Sequence, residues 1–538
     1  MTSSTPVRTA PAGTPLGDSF HVYDTTLRDG AQAEGITYSV ADKLAVARLL
    51  DELGVGFIEG GWPGALPKDT EFFARAGSEL ELHHAVLVAF GATRKAGLVA
   101  ADDPQVRALL DSGAPVVTVV AKSDRRHVER ALRTDPAENR AMVTDTVALL
   151  VAEGRRVFVD LEHFFDGYAH DVHHAVGVVE TAIQAGADVA VLCDTNGGML
   201  PLRVAEVIQA VAARTGARLG IHCQDDTACA VANSLSAVQA GATHVQCTAN
   251  GYGERTGNAD LFAVLGNLAT KLGMPVLPEG ALADLVRVSH ALAELANTAP
   301  EPRQAYVGTS AFAHKAGLHA SAIKVDPELY NHLDPILVGN DMRVLVTEMA
   351  GRASIELKGR ELGVDLAGQR DAVGRVVERV KALESRGWSF EAADASFELL
   401  LREATGTGRA APFVLESYRV ILEHRAGGEI VAEATVRGAV TGARVIATAE
   451  GNGPVNALDA ALRTALRPEH PWVDSVELAD YKVRILDGAH GTDAVTRVLI
   501  ASADGPTRWT TVGVDDNVVE ASWLALVDAM AFAALHRS

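Results

Sequence analysis

Cysteine is scarce: four in 538 residues, at positions 193, 223, 229 and 247, with no CxxC spacing. That excludes a disulfide framework and a thiolate zinc site, and their apolar neighbours predict buried, reduced thiols. Aromatic residues make up only 5% of the chain, and 48 basic residues face 69 acidic ones, a net charge of −21. A surface of that sign repels nucleic acid and anionic lipid, and no basic stripe offsets it. No apolar run of transmembrane length is seen and the N-terminus lacks an apolar signal core. No nucleic-acid or membrane partner and a cytoplasmic location are therefore expected. The first 18 residues are small, polar and Pro-rich, which predicts a disordered tail.

What is present is a composition with ample material for a core, 48% hydrophobic and rich in Gly and Ala, long enough for two or three domains. From residue 20 to about 275, short β-branched runs alternate with helical patterns. Eight strands are predicted, at 20–24, 56–60, 85–90, 116–121, 156–162, 189–194, 219–223 and 244–248. Between the first two, Ser39 with Asp42 three residues on reads as a capping box. Val46, Leu49, Leu50 and Leu53 form one apolar face, and Gly54 supplies the stop. Eight near-continuous apolar strands separated by helices indicate an α/β fold, a (β/α)8 TIM barrel. A doubly wound open sheet is the rival, but no Gly-rich phosphate fingerprint follows the first strand.

Barrel enzymes react at the C-terminal ends of their strands. Here those ends carry Asp24, Arg28 and Asp29 (strand one), Glu59 (two) and Lys122 (four). Glu162 and His163 end strand five, Asp194, Thr195 and Asn196 end six, and His222 and Gln224 end seven. Strand eight runs into Asn250-Gly-Tyr-Gly-Glu-Arg-Thr-Gly-Asn258. Solvation explains any one of these, but carboxylate, imidazole, amide and guanidinium groups on so many strand ends argue for a hard-cation site. Arg28 beside Asp29 suits an oxyanion developing on a keto group.

The motifs Asp24-Thr-Thr-Leu-Arg-Asp-Gly30, Asn250 to Asn258 and His314-Lys-Ala-Gly-Leu-His319 resemble those of the 2-isopropylmalate, homocitrate and citramalate synthase family. These are barrel enzymes that condense acetyl-CoA with a 2-keto acid, and the resemblance spans about residues 20–538. The segments Glu59-Gly-Gly-Trp62, Asp160-Leu-Glu162-His-Phe-Phe-Asp166, Asp194-Thr-Asn-Gly-Gly198 and Ser310-Ala-Phe-Ala-His-Lys are most similar to its citramalate-forming members. The resemblance implies a divalent metal held by Asp29, His222 and Asn258. Where the family reads His-x-His-Asn-Asp on strand seven, this chain reads His222-Cys-Gln224-Asp-Asp226, so glutamine takes the place of a second histidine ligand. A Gln oxygen suits Mg or Mn better than Zn. A retuned metal site follows, with loss of activity as the alternative.

The resemblance also implies acetyl-CoA and pyruvate as substrates and citramalate as product, on a pyruvate route to isoleucine. In that scheme Arg28 stabilises the alkoxide, Thr195 anchors the carboxylate, and Glu59 and Trp62 lie in the substrate pocket. His319 is the base on the acetyl methyl group and Glu162 its orienting or relay partner. On the residues alone, His319 reads first as a helix-surface histidine, and Trp62 reads equally as loop packing. Two other readings stay open: 2-isopropylmalate synthesis from 2-ketoisovalerate, and a catalytically weakened regulatory paralogue. A lyase running the reverse cleavage is disfavoured, because the family's lyases lack the appended C-terminal domain.

The barrel is assigned to 19–275 and a helix-rich linker or lid to 276–404. Because His319 lies outside the barrel, that lid should cover a barrel mouth. The resemblance makes it the partner's mouth, hence a homodimer, with a self-covering lid as the alternative. From 405 to 538 strands alternate, at 418–423, 429–436, 443–449, 481–486 and 496–501. One helix starts at Gly451-Asn-Gly453-Pro-Val-Asn456 and a last one, 518–535, follows Asp515-Asp-Asn517. Amides at such helix starts bind carboxylates. The resemblance makes this an α+β regulatory domain of the LeuA dimer type. Gly451, Gly453, Asn456 and Asp515 would be its ligand contacts and isoleucine its feedback inhibitor; a ligand-free dimerisation domain is the alternative. No internal repeat is detectable.

Overall fold

The computed structural model describes residues 15–406, 408, 411–486 and 494–537. Most of the expected N-terminal tail, residues 1–14, lies outside the described residues. Its last residues are tied to the barrel: Gly17–Ser19 form a 3-10 turn and the Asp18 carboxylate pairs with Arg156 at 2.7 Å. The chain divides into two compact units, residues up to 312 with 333–341, and residues 313–332 with 342–538. Each is described by itself.

The first unit is the barrel. Its strands are β1 (His21–Asp24), β2 (Phe57–Glu59), β3 (Val86–Ala92), β4 (Val116–Lys122), β5 (Arg156–Glu162), β6 (Val189–Asp194), β7 (Leu219–Cys223) and β8 (His244–Cys247). They pair in sequence order, all parallel, and close through His21↔His244 and Asp24↔Cys247. Tyr23, Phe57, Val88, Phe158, Val191 and Cys193 fill the barrel interior, and the opposite strand faces pack on the helices. The helix Val40–Leu53 has the expected capping box, with Ser39 and Asp42 bonded reciprocally, and ends at Gly54 with φ 93°. A Cβ there would stand 2.2 Å from the Pro278 ring, so both conformation and space demand glycine. All four cysteines are free thiols; Cys193, Cys223 and Cys247 are buried and Cys229 is half-buried.

The second unit starts with a short parallel pair, β9 (Ala313–His314) and β10 (Arg343–Val344), and continues through four helices, Gly317–Ile323, Arg352–Glu361, Arg370–Glu384 and Asp394–Thr405. Two antiparallel three-stranded sheets follow. The first is β11 (Val414–His424), β12 (Ile430–Val440) and β13 (Ala443–Gly451), closed by the helix Pro454–Leu466. The second is β14 (Glu477–Ile485), β15 (Thr496–Asp504) and β16 (Thr507–Asp515), closed by the helix Val518–Leu535. The same order of three strands and a helix thus occurs twice, a duplication of architecture that leaves no readable repeat in the sequence. Strand β16 was not among the expected strands, because its first half, Thr507-Arg-Trp-Thr-Thr, is polar and follows Gly505-Pro506.

One expectation is corrected here. Among the described residues the helix Val518–Leu535 is long and apolar enough, by length and composition, to cross a membrane. It is 56% buried within the protein, packs on β15 and β16, and its Asp528 accepts a hydrogen bond from Ser396 at 2.8 Å. It is apolar all round because it is a core helix.

Candidate active site

The C-terminal ends of the barrel strands surround a cavity of about 410 Å³. Arg28, Asp29, Trp62, Glu162, Thr195, His222 and Gln224, all singled out from the sequence, line it together with Phe90, Lys122, Asp160, Cys193 and Arg255. Glu59 and Asn258 are buried and are not among the lining side chains.

Arg28 is held on three sides. Its Nε donates to Glu59 Oε2 at 2.6 Å, its Nη1 lies 3.8 Å from Asp29 Oδ2, and its guanidinium carbon sits 3.8 Å above the Phe90 ring. Burial alone would depress its pKa, but Glu59 and then Asp29 outweigh it and hold the guanidinium charged. Glu59, expected to contact substrate, is wholly buried and fully engaged: it accepts from Tyr23 Oη at 2.6 Å and Thr25 Oγ1 at 2.5 Å besides Arg28. Its visible work is to aim Arg28.

The four expected metal ligands converge. Asp29 Oδ2 lies 3.3 Å from His222 Nε2 and accepts from Gln224 Nε2 at 3.3 Å. Gln224 and Asn258 meet across an isolated antiparallel bridge between the strand-seven and strand-eight loops. Asn258 Nδ2 donates to the Tyr252 carbonyl at 3.0 Å. The remaining amide oxygens, Gln224 Oε1 and Asn258 Oδ1, are buried and have no hydrogen-bond partner. Burial would raise the Asp29 carboxyl, but Arg28 and His222 hold it well below the usual carboxylate range; burial would lower His222, but Asp29 holds it up. Among the described residues no three His, Cys, Asp or Glu side chains gather at one point. The cluster has one carboxylate and one imidazole, and its other two donors are amide oxygens.

Around this cluster, Thr195 Oγ1 accepts the His163 backbone N–H at 2.8 Å and keeps its own proton to donate. Arg255 ties the strand-eight loop down, donating to Asp226 Oδ1 at 2.8 Å and to the Thr195 carbonyl at 2.9 Å. Glu162 is ion-paired with Lys122. Trp62 turns its edge to Phe90 at 5.3 Å between ring centres, and its Nε1 donates to Gln105 at 2.9 Å.

The sequence brought out Asp160 only as part of a motif, with no role of its own, and Gln246, Tyr23 and Phe90 were missed. The one available signal was polarity at inward positions of otherwise apolar strands, which Gln246 and Asp160 both break. The remaining predicted residues are in the second unit. His319 lies on the helix Gly317–Ile323, half-buried, its ring stacked on Tyr330 at 4.1 Å. Gly451, Gly453 and Asn456 meet at one helix start, where Asn456 Oδ1 accepts from the Asn452 N–H at 3.2 Å and Gly453 caps the helix. Asp515 is at the corresponding turn of the second repeat, accepting from the Asn517 N–H at 2.9 Å.

Three family models match consecutive parts of the chain: HMGL-like over residues 19–292, homocitrate synthase post-HMGL domain-like over 306–387, and LeuA allosteric (dimerisation) domain over 391–534. An (R)-citramalate synthase of Streptomyces coelicolor is 65% identical over 97% of both chains, and one of Synechocystis is 46% identical over 96% of both. A 2-isopropylmalate synthase of Methanocaldococcus jannaschii is more distant, 28% identical over 96% of this chain and 95% of its own. The HMG-CoA lyase structure of Bacillus subtilis overlays at 18% identity and TM-score 0.45, covering 54% of this chain and 98% of that one, too slight a likeness to argue from. The chain belongs to the HMGL-like family and, within it, to the (R)-citramalate synthases.

Proposed function

We propose that this enzyme condenses acetyl-CoA with pyruvate and water to give (R)-citramalate and CoA, the acyl group becoming an alkyl group on transfer. The observation that carries the reading is the convergence of Asp29, His222 and two orphaned amide oxygens beside a pinned arginine. A divalent cation fits this donor set, since buried carbonyl oxygens without partners are costly unless something meets them. Asp29, His222, Gln224 and Asn258 would hold it, and three oxygen donors to one nitrogen favour Mg or Mn over Zn. When bound, such an ion supplies a Lewis acid for the keto carbonyl.

The protein's own groups do the rest. Arg28, fixed by Glu59 and Phe90, presents positive charge where the keto oxygen becomes an alkoxide, with no reorganisation needed at that moment. Thr195 donates to the keto acid's carboxylate. Trp62 and Phe90 close the side of the cavity where a longer keto acid would extend. Because a missing methylene in an apolar pocket discriminates only about 10- to 200-fold, selection of pyruvate rests on steric exclusion. His319 takes the methyl proton of acetyl-CoA and Glu162 orients or relays, an assignment supported by the family motif rather than by distances. Water then hydrolyses the citramalyl thioester.

The match of residues 391–534 to a LeuA allosteric (dimerisation) domain supports a homodimer with a C-terminal regulatory domain. We assign residues 19–275 to the barrel, 276–404 to the linker and 405–538 to regulation, with isoleucine as inhibitor at Gly451, Gly453, Asn456 and Asp515. Four unpaired thiols accord with the reducing cytoplasm. The test follows CoA thiol release from acetyl-CoA with pyruvate, 2-ketobutyrate or 2-ketoisovalerate and with Mg or Mn. Pyruvate-selective release is expected; preference for 2-ketoisovalerate, or no release with any pair, overturns the reading. Isoleucine added to the same assay should slow it.

A further inference from the structure

Behind the cavity, a hydrogen-bonded line crosses the barrel interior from β7 through β8 to β5. His222 Nδ1 lies 2.9 Å from Gln246 Oε1, and Gln246 Nε2 donates to Asp160 Oδ1 at 2.8 Å. All three side chains are buried, and His222 and Gln246 are register partners on adjacent strands. Neither Gln246 nor Asp160 belongs to the ligand set above.

We propose that Gln246, clamped by Asp160, is the positioning residue that fixes which nitrogen of His222 faces the metal site. A carboxylate only accepts, so the amide nitrogen of Gln246 must turn to Asp160 and its oxygen to His222. An amide oxygen also only accepts, so His222 Nδ1 must carry a proton. The other nitrogen, Nε2, is then the one directed at Asp29 Oδ2, at 3.3 Å. The assignment does not rest on how an amide is drawn, because the reversed amide would set two acceptors, its own oxygen and the carboxylate, against each other at Asp160. Asp160 also lines the cavity, so the clamp ends on the reaction space itself. This inference rests on the reading that His222 holds a divalent ion.

The test uses the full-length protein at pH 8, above the value of about 7 to which burial pushes the Asp160 carboxyl. Mn²⁺ affinity is measured by EPR of the free ion for the parent chain, Gln246→Leu, Asp160→Ala and Asp160→Asn, with thermal unfolding of each metal-free variant as the control. Gln246→Leu should bind Mn²⁺ about 10- to 100-fold more weakly, the usual effect of losing such a support. Asp160→Ala should also weaken binding, by freeing the amide to turn. Asp160→Asn should stay close to the parent, because its oxygen still accepts from Gln246. A merely structural role would lower thermal stability in all three without this order of affinities. Should Gln246→Leu fail to fold, the Asp160 pair decides, together with ¹⁵N NMR of histidine-labelled parent protein, in which His222 should carry its proton on Nδ1. Parent-like Mn²⁺ binding by Gln246→Leu, or a neutral His222 protonated only on Nε2, overturns this inference alone. Absence of Mn²⁺ binding by the parent overturns the metal reading and this inference with it.

Discussion

Asp69→Ala tests how the loop after β2, which carries Trp62 into the cavity, is held in place. The Asp69 and Lys43 side chains form an ion pair in which each is only 4% exposed. Lys43 Nζ also donates to the Gly60 carbonyl at 3.0 Å, and Asp69 Oδ2 accepts the Trp62 backbone N–H at 2.8 Å. The contact is close enough that a Cβ on Gly61 would lie 2.4 Å from the carboxylate, and Gly61 has φ 134°. Removing one partner of a buried ion pair strands the other and costs about 3–5 kcal/mol. For a unit of about 320 residues, with an unfolding entropy of about 0.7 kcal/mol/K, that lowers the unfolding midpoint by roughly 4–8 °C. Asp69→Asn, which keeps an acceptor for Trp62 but not the charge, should lose less. The double variant Lys43→Met with Asp69→Leu should recover most of the loss, leaving about 1–3 kcal/mol for the orphaned Trp62 N–H. The pH dependence has a definite sign. Burial lowers the Lys43 pKa below 10.5 and Asp69 partly offsets this; without Asp69 the folded chain releases the lysine proton earlier than the unfolded one. The variant's deficit should therefore narrow as pH rises toward the ordinary lysine range. Differential scanning calorimetry across pH reads all of this, and an Asp69→Ala midpoint within 2 °C of the parent would refute the reasoning.

Three further outcomes are expected. Arg28→Ala should lower kcat by about 10²- to 10³-fold, as loss of one preorganised oxyanion donor does, and Glu59→Gln should lower it less; steady-state kinetics with pyruvate check the order. Trp62→Ala should raise the ratio of kcat/KM for 2-ketobutyrate over pyruvate by about tenfold or more, and an unchanged ratio removes Trp62 from the selectivity argument. Burial raises the Asp24 carboxyl to about 7, so its ionisation opposes folding; the stability of Asp24→Asn relative to the parent should rise by about 1.4 kcal/mol per pH unit between pH 5 and 7, read from urea midpoints, and a flat difference contradicts it.

The barrel was legible because each strand is a short apolar run buried on both faces, and three of the eight, β5, β6 and β7, have the bounds their sequence predicts. The cavity wall was legible for the opposite reason: Arg28, Asp29, Glu162, Thr195, His222 and Gln224 break those runs at the end where barrels react. What stayed hidden depends on contacts between distant strands. Gln246 and Asp160 are 86 positions apart and make sense only once β8 and β5 face each other across the interior. Glu59 looked like a substrate contact because the sequence gives its position but not Tyr23, Thr25 and Arg28 claiming its oxygens. In the C-terminal domain, the duplicated order of three strands and a helix rests on strand pairing and burial rather than on shared residues. Its two helix starts, Gly451-Asn-Gly453-Pro and Asp515-Asp-Asn517-Val, solve the same turn with different residues.

In the proposed metal centre the Gln224 amide is oriented by its neighbours. Its nitrogen faces the Asp29 carboxylate and that of Asn258 faces the Tyr252 carbonyl, both groups that only accept. The oxygen of each amide is left buried and unbonded. Gln246 is oriented by the same rule, with Asp160 as its acceptor. Three amides set by acceptor-only neighbours give the centre oriented oxygens and one oriented nitrogen without further ionisable ligands. On the proposed reading, that oxygen-rich donor set suits Mg or Mn better than the softer zinc.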